Sequence, residues 1–155
     1  MKNKKAFIIT GSVILICIIA LVAVFTNTGS VATQVSKQLD LGHKYLLEGN
    51  YKEAIIAFEK AIQIDPKSVD ARLGLSGVYV AANRIEDAII VLNDAMVIDL
   101  NRPEPYTNLA RIFMLQGDYQ KALEILEKGL KNSGDTSIVA LLDELKPQTP
   151  VASVE

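Results

Sequence analysis

The chain has 155 residues, half of them apolar, and its 16 basic residues face 18 acidic ones, which is room for one compact unit and an appendage. A net charge of −2 excludes a sequence-independent nucleic-acid binder, which needs a concentrated basic face. One Cys and one His exclude a disulfide framework and a Cys/His zinc site.

Residues 1–5 form a basic flank with Lys2, Lys4 and Lys5. Without these three, 13 basic residues face 18 acidic ones, so the rest of the chain is acidic. Residues 6–25, AFIITGSVILICIIALVAVF, contain no ionisable side chain. Twenty residues at 1.5 Å each span the ~30 Å hydrocarbon layer. Thirteen of them are Ile, Leu, Val or Phe, contributing roughly −4 to −8 kcal/mol to insertion. This stretch predicts a single transmembrane helix that meets the lipid bilayer. After it, the first charge is Lys37, so the positive flank places the N-terminus in the cytoplasm and residues 26–155 outside. The same features suit a secretory leader cleaved near Ala32, with Ser30-Val31-Ala32 as the small-x-small site. The apolar run exceeds the ~7–15 residues of such leaders, which favours retention. Cys17 lies within the run behind Ile16, where a lipoprotein signal needs a small residue; it reads as packing sulfur. Residues 26–34 (TNTGSVATQ) are polar and uncharged and predict a short linker.

From residue 35 the sequence repeats every 34 positions. The columns are Leu41/Leu75/Leu109, Tyr45/Tyr79/Phe113, Ala54/Ala88/Ala122, Phe58/Leu92/Leu126 and Ala61/Ala95/Gly129. Leu41 and Tyr45 stand four apart, as do Ala54 and Phe58, which puts each pair on one helix face. Gly49 and Gly117 fall between the halves, where a helix ends on a residue tolerant of positive φ. Small residues at Gly42, Ala54 and Ala61 permit two helices to approach closely. Each unit is thus a hairpin of two helices with one face uncovered, and neighbouring hairpins must stack to cover it.

The pattern resembles the tetratricopeptide repeat family. Repeat 1 (35–68) carries Leu41, Gly42, Tyr45, Gly49, Tyr51, Ala54, Phe58, Ala61 and Pro66. Repeat 2 (69–102) keeps Leu75, Tyr79, Ala88 and Ala95 but departs at Ser76, Leu92 and Leu100. Repeat 3 (103–136) keeps Leu109, Ala110, Phe113, Gly117, Tyr119 and Ala122. The family's Trp position holds Gln38, Arg72 and Tyr106. The resemblance covers residues 35–136 and implies an all-α solenoid of three repeats. Beyond it, Ser133-Gly134-Asp135 breaks the chain. Thr136 is placed to cap a terminal helix over 137–145, whose Ile138, Leu141, Leu142 and Leu145 cover repeat 3. Residues 35–145 are therefore one solenoid unit, and 146–155, starting Lys146-Pro147, predict a disordered tail.

No pattern here asks for a cofactor or a metal. Glu86 and Asp87 are adjacent and point to different helix faces, so they make no carboxylate pair. His43 has no Ser or Asp at triad spacing. The chain is expected not to be an enzyme. The resemblance instead implies a peptide-binding groove on the first helix of each repeat. It is lined by Ser36, Leu39, His43, Leu46 and Leu47, then Asp70, Leu73, Gly77, Val80 and Ala81, then Glu104, Thr107, Arg111, Met114 and Leu115. Of these, Leu39, His43, Leu73, Gly77, Thr107 and Arg111, with Asn108, are the expected contacts. Chaperone-binding members hold a terminal carboxylate with a clamp of Lys, Asn and Arg; the matching places here carry Leu39, His43, Gly74, Glu104 and Asn108, so that clamp is absent. For Arg111 the competing expectation is an internal pair with Glu104 or Asp70. The expected role is that of a membrane-anchored adaptor at the outer face of a bacterial-type plasma membrane, binding a segment of another protein. The alternatives are a scaffold subunit acting by self-association, or a secreted form after cleavage near Ala32.

Overall fold

The computed structural model describes residues 29–145, and those residues form seven helices and no strand. In chain order they are α1 (29–47), α2 (Tyr51–Ile64), α3 (Val69–Ala81), α4 (Ile85–Ile98), α5 (Pro103–Leu115), α6 (Tyr119–Ser133) and α7 (Ser137–Leu145). The expected span 6–25 and the tail 146–155 lie outside the described residues. Among the described residues no helix is long and apolar enough to cross a membrane.

The expected linker 26–34 is corrected: its residues from 29 onward belong to α1. No Pro interrupts this stretch, and the Thr33 hydroxyl donates to the Gly29 carbonyl at 2.9 Å while Gln34 Nε2 donates to Ser30 Oγ at 3.2 Å. Polar side chains that read as linker in the sequence here bond one turn back along a helix.

Each repeat turns from its first helix to its second through the same motif. The amides of Asn50, Arg84 and Asp118 donate to the carbonyls of Tyr45, Tyr79 and Phe113 at 2.9, 2.8 and 2.9 Å. Those of Gly49, Asn83 and Gly117 donate three residues back, each at 3.0 Å. This is a Schellman closure, and it requires a left-handed residue at the turn. Gly49 (φ 74°), Asn83 (φ 57°) and Gly117 (φ 77°) supply it, so Asn stands in for Gly in repeat 2. Between repeats, Asp65 and Asp99 accept from the amides of Lys67 and Asn101 at 3.0 Å. Before α7 the same task falls to Asp135, which accepts from Ser137 at 2.7 Å.

The core follows the columns. Ala54, Ala88 and Ala122 are all 0 % exposed, and Phe58, Leu92 and Leu126 are equally buried. Tyr106 is buried, with its hydroxyl donating to the Leu100 carbonyl at 3.1 Å and accepting from Asn132 at 2.9 Å. A second cluster joins Ala110, Ala122 and Leu126 to Ile138, Leu141 and Leu145 of α7.

Candidate interaction groove

The groove begins with a ring held between two glycines. Phe58 of α2 lies against Gly42 of α1 and Gly74 of α3; a methyl group on Gly42 would come within 2.7 Å of the ring, and one on Gly74 would run into it. The two glycines let α1 and α3 close over the ring. His43 stands edge-on to Phe58 with centroids 5.1 Å apart and an interplanar angle of 79°. Beside them opens a pocket of about 540 Å³ lined by Leu39, His43, Leu73 and Gly77 together with Asp40, Leu46 and Asp70.

A second pocket of about 240 Å³ lies between α3 and α5, lined by Ser76, Gly77, Val80, Leu92, Asn108, Arg111, Ile112 and Leu115. The two share Gly77, where an added methyl would meet nothing within 4 Å. A third, of about 380 Å³, continues past Arg111 and Leu115 to Met114 and Tyr119. At the other end a cleft of about 830 Å³ shares Ser36, Leu39 and Asp70 with the first pocket. Its wall includes Val31 and Ala32, which the sequence pattern assigns to the linker, and Val35, the first residue of repeat 1. Four pockets sharing walls thus run across the first helices of all three repeats.

Leu39, His43, Leu73 and Gly77 therefore come together, and Gly77 joins Asn108 and Arg111. Thr107 lines none of these pockets; its hydroxyl donates to the Glu104 carbonyl at 3.0 Å. Asp40 and Tyr119 line the groove without having been singled out. The signal for Asp40 was present in the sequence, three residues before His43, a spacing that makes the two neighbours on the helix surface. The signal for Val31 and Val35 was equally present as the four-residue spacing to Leu39.

The charges divide into paired and unpaired. Arg102 bridges two repeats, its guanidinium donating to Asp70 at 2.9 Å and to both Glu104 oxygens at 3.2 Å. The side-chain hydrogen bond from Arg102 holds the Glu104 carboxyl below the ordinary carboxylate range. The same bond, ahead of that to Asp70, raises Arg102. The acid partners expected for Arg111 are thus taken by Arg102. Among the described residues no ion pair engages Arg111 or Asp40. Nor does any group of three or more His, Cys, Asp or Glu there suit a metal ion. What the first-helix face of the groove offers is apolar area and two charges of opposite sign, Asp40 and Arg111, outside any ion pair among the described residues, which equips it for binding.

Family models described as tetratricopeptide repeat match residues 45–105 and 106–135. The fold is similar to the TPR2B domain of yeast Sti1 in its complex with pHsp70, with a TM-score of 0.65 and 18 % identity over 75 % of this chain and 95 % of that one. It is similar to the Yersinia enterocolitica type III secretion translocator chaperone SycD, with a TM-score of 0.65 and 18 % identity over 75 % and 94 %. Pseudomonas aeruginosa pilF gives a TM-score of 0.65 at 22 % identity over 77 % of this chain and 54 % of that one. At these identities the likeness is one of fold. No curated protein matches the chain.

Proposed function

We propose that this chain, which belongs to the tetratricopeptide repeat family, is a membrane-anchored adaptor whose first-helix face holds a segment of another protein. The fold is a protein-interaction scaffold, and the yeast Sti1 domain of the same fold is complexed with pHsp70. One observation carries the reading: the groove stays open across three repeats, with Leu115 82 % exposed beside Arg111. Exposed apolar area in a groove marks an interaction site, and an unpaired guanidinium beside it can take a carboxylate of the bound segment. The carboxylate clamp of chaperone-binding members has no counterpart, since Leu39, His43, Gly74, Glu104 and Asn108 stand in its places and Glu104 is bonded to Arg102. The bound segment is therefore recognised chiefly by its side chains.

Anchoring rests on the sequence. Residues 6–25 carry no charge and follow three lysines, which favours a span with the solenoid on the extracytoplasmic side. A tethered groove is confined to a layer near the bilayer, and its effective concentration toward membrane partners rises accordingly. Arg111→Glu combined with Leu73→Glu is expected to abolish crosslinked capture of partners from membranes while far-UV circular dichroism stays unchanged. Capture that survives both changes overturns the groove. Protease added to intact cells should cleave the solenoid; protection until lysis overturns the orientation.

A second reading, self-association into a scaffold, draws on Ile90 and Val97, which are 60 % and 80 % exposed on the outer side of α4. It requires oligomers in sedimentation of the full chain in detergent, and a monomer removes it.

A further inference from the structure

Groove-lining charges on the first helices of repeats 1 to 3 sort by whether the protein already satisfies them. Asp70 is bonded to Arg102 at 2.9 Å. Asp40 and Arg111 are exposed and engage no ion pair among the described residues. Asp40 lies at the α1 end, in the pocket with Leu39 and Leu73. Arg111 lies at the α5 end, in both pockets that contain Leu115. Between them the walls carry Leu73, Val80 and Ile112 with the polar groups of His43, Ser76 and Asn108, and Gly77 is an open floor. On these three helices the free charge is thus negative at the α1 end, positive at the α5 end and absent between; Asp65, Lys67 and Asp99 of the adjoining cleft lie on the turns between repeats.

We propose that the groove reads its ligand in one direction: it takes a segment with a basic side chain at Asp40, apolar side chains over Leu73 and Leu115, and an acidic side chain at Arg111. This rests on the groove reading above and adds the chemistry and polarity of the occupant. Helix axes lie about 8–10 Å apart, so two steps from α1 to α5 cover roughly 20 Å. An extended chain advances ~3.3–3.6 Å per residue, so the two ligand charges stand about five or six residues apart. A carboxylate opposite Arg111 gains a forked, charge-assisted hydrogen bond. A reversed segment brings like charges together at both ends, and that repulsion separates right from wrong partners.

The test is selection of random decapeptides displayed on phage against the full chain in mild detergent, followed by affinity measurement on the enriched sequences. The expected result is enrichment of peptides with Lys or Arg toward one end, Asp or Glu about five or six positions away, and apolar residues between. Arg111→Glu should weaken an enriched peptide roughly 10- to 100-fold, and replacing the peptide's acid by Lys should restore most of that loss. Enriched peptides that Leu73→Glu abolishes but that show no charge order, or that ignore Arg111→Glu, overturn the polarity and leave the groove standing. Peptides indifferent to Leu73→Glu overturn the groove itself. A groove filled by a second copy, or by another part of this chain, selects no peptide, and that result overturns the inference as well.

Discussion

Phe58 occupies the space that two missing methyl groups leave, and the two glycines that frame it differ sharply from a third nearby. At Gly74 an added methyl runs into the Phe58 ring, whereas at Gly77, three residues on in the same helix, it meets nothing within 4 Å. Both positions lie inside α3, where exchanging Gly for Ala by itself favours the helix by roughly 0.5–1 kcal/mol. At Gly77 that gain stands alone. At Gly74 it is outweighed, because Phe58 is buried and abuts Gly42 on its other side, and overpacking a filled core costs about 1–3 kcal/mol. Urea unfolding should therefore show Gly77→Ala raising stability and Gly74→Ala lowering it. Two shifts of the same sign would contradict the wedge. Gly77 also forms the floor shared by two pockets, so the exchange there trades helix stability against groove depth.

At the scale of elements, turns and bridges between repeats set which parts were readable in advance. Arg102 precedes α5 and bonds both Asp70 at the start of α3 and Glu104 at the start of α5, so it fixes the angle between adjacent repeats. Because Arg102 holds the Glu104 carboxyl below its ordinary value, the stabilisation is fully present above the unfolded-state value of about 4.3. It is lost as pH falls through the depressed folded value. The Asp70 and Glu104 side chains are 61 % and 49 % exposed, so screening keeps the effect small, about 1 kcal/mol at most. Arg102→Ala should accordingly lower the melting temperature slightly at pH 7, with the gap to the unaltered chain closing as pH drops below about 4. A gap that persists in acid would mean Arg102 acts through packing alone. The 34-residue columns made the hairpins, the closely packed Ala54, Ala88 and Ala122, and the turn positions legible, since periodicity and residue size are properties of sequence. The partner of Arg102 was not legible: the choice between Arg102 and Arg111 for Asp70 depends on how far α5 is rotated against α3. Gly74 was legible only as a clamp position and not as a packing glycine, because repeats 1 and 3 have Asp40 and Asn108 there, so no small-residue column marked it. The helical start of α1 was hidden because Ser30, Thr33 and Gln34 suit a linker as well as a helix whose side chains bond within it.

Across the whole molecule, a stack of hairpins is only as durable as its ends. The α7 side chains Ile138, Leu141 and Leu145 stand 32 positions, not 34, after Tyr106, Leu109 and Phe113. They are buried and join Ala110, Ala122 and Leu126 in one cluster. Gly129 lies between Tyr106 and Ile138, where a methyl would come within 2.7 Å of the first and 3.0 Å of the second. So α7 takes the place a fourth first-helix would occupy, without a second helix behind it. Three buried aliphatic side chains at about 1.5–3 kcal/mol each approach the whole stability of a small domain, about 5–15 kcal/mol. Ile138→Asp removes one of them and forces an unpaired carboxylate into the apolar cluster of Leu126, Leu141 and Leu145, which costs about 3 kcal/mol or more. In a nearest-neighbour array that loss enters at the end and fades inward. Hydrogen exchange should then show amides of α6 and α5 losing protection in Ile138→Asp while those of α2 and α3 keep most of theirs. Equal loss in every helix would instead make the three repeats one cooperative unit. In that case the groove between α1 and α3 would fail together with the cap.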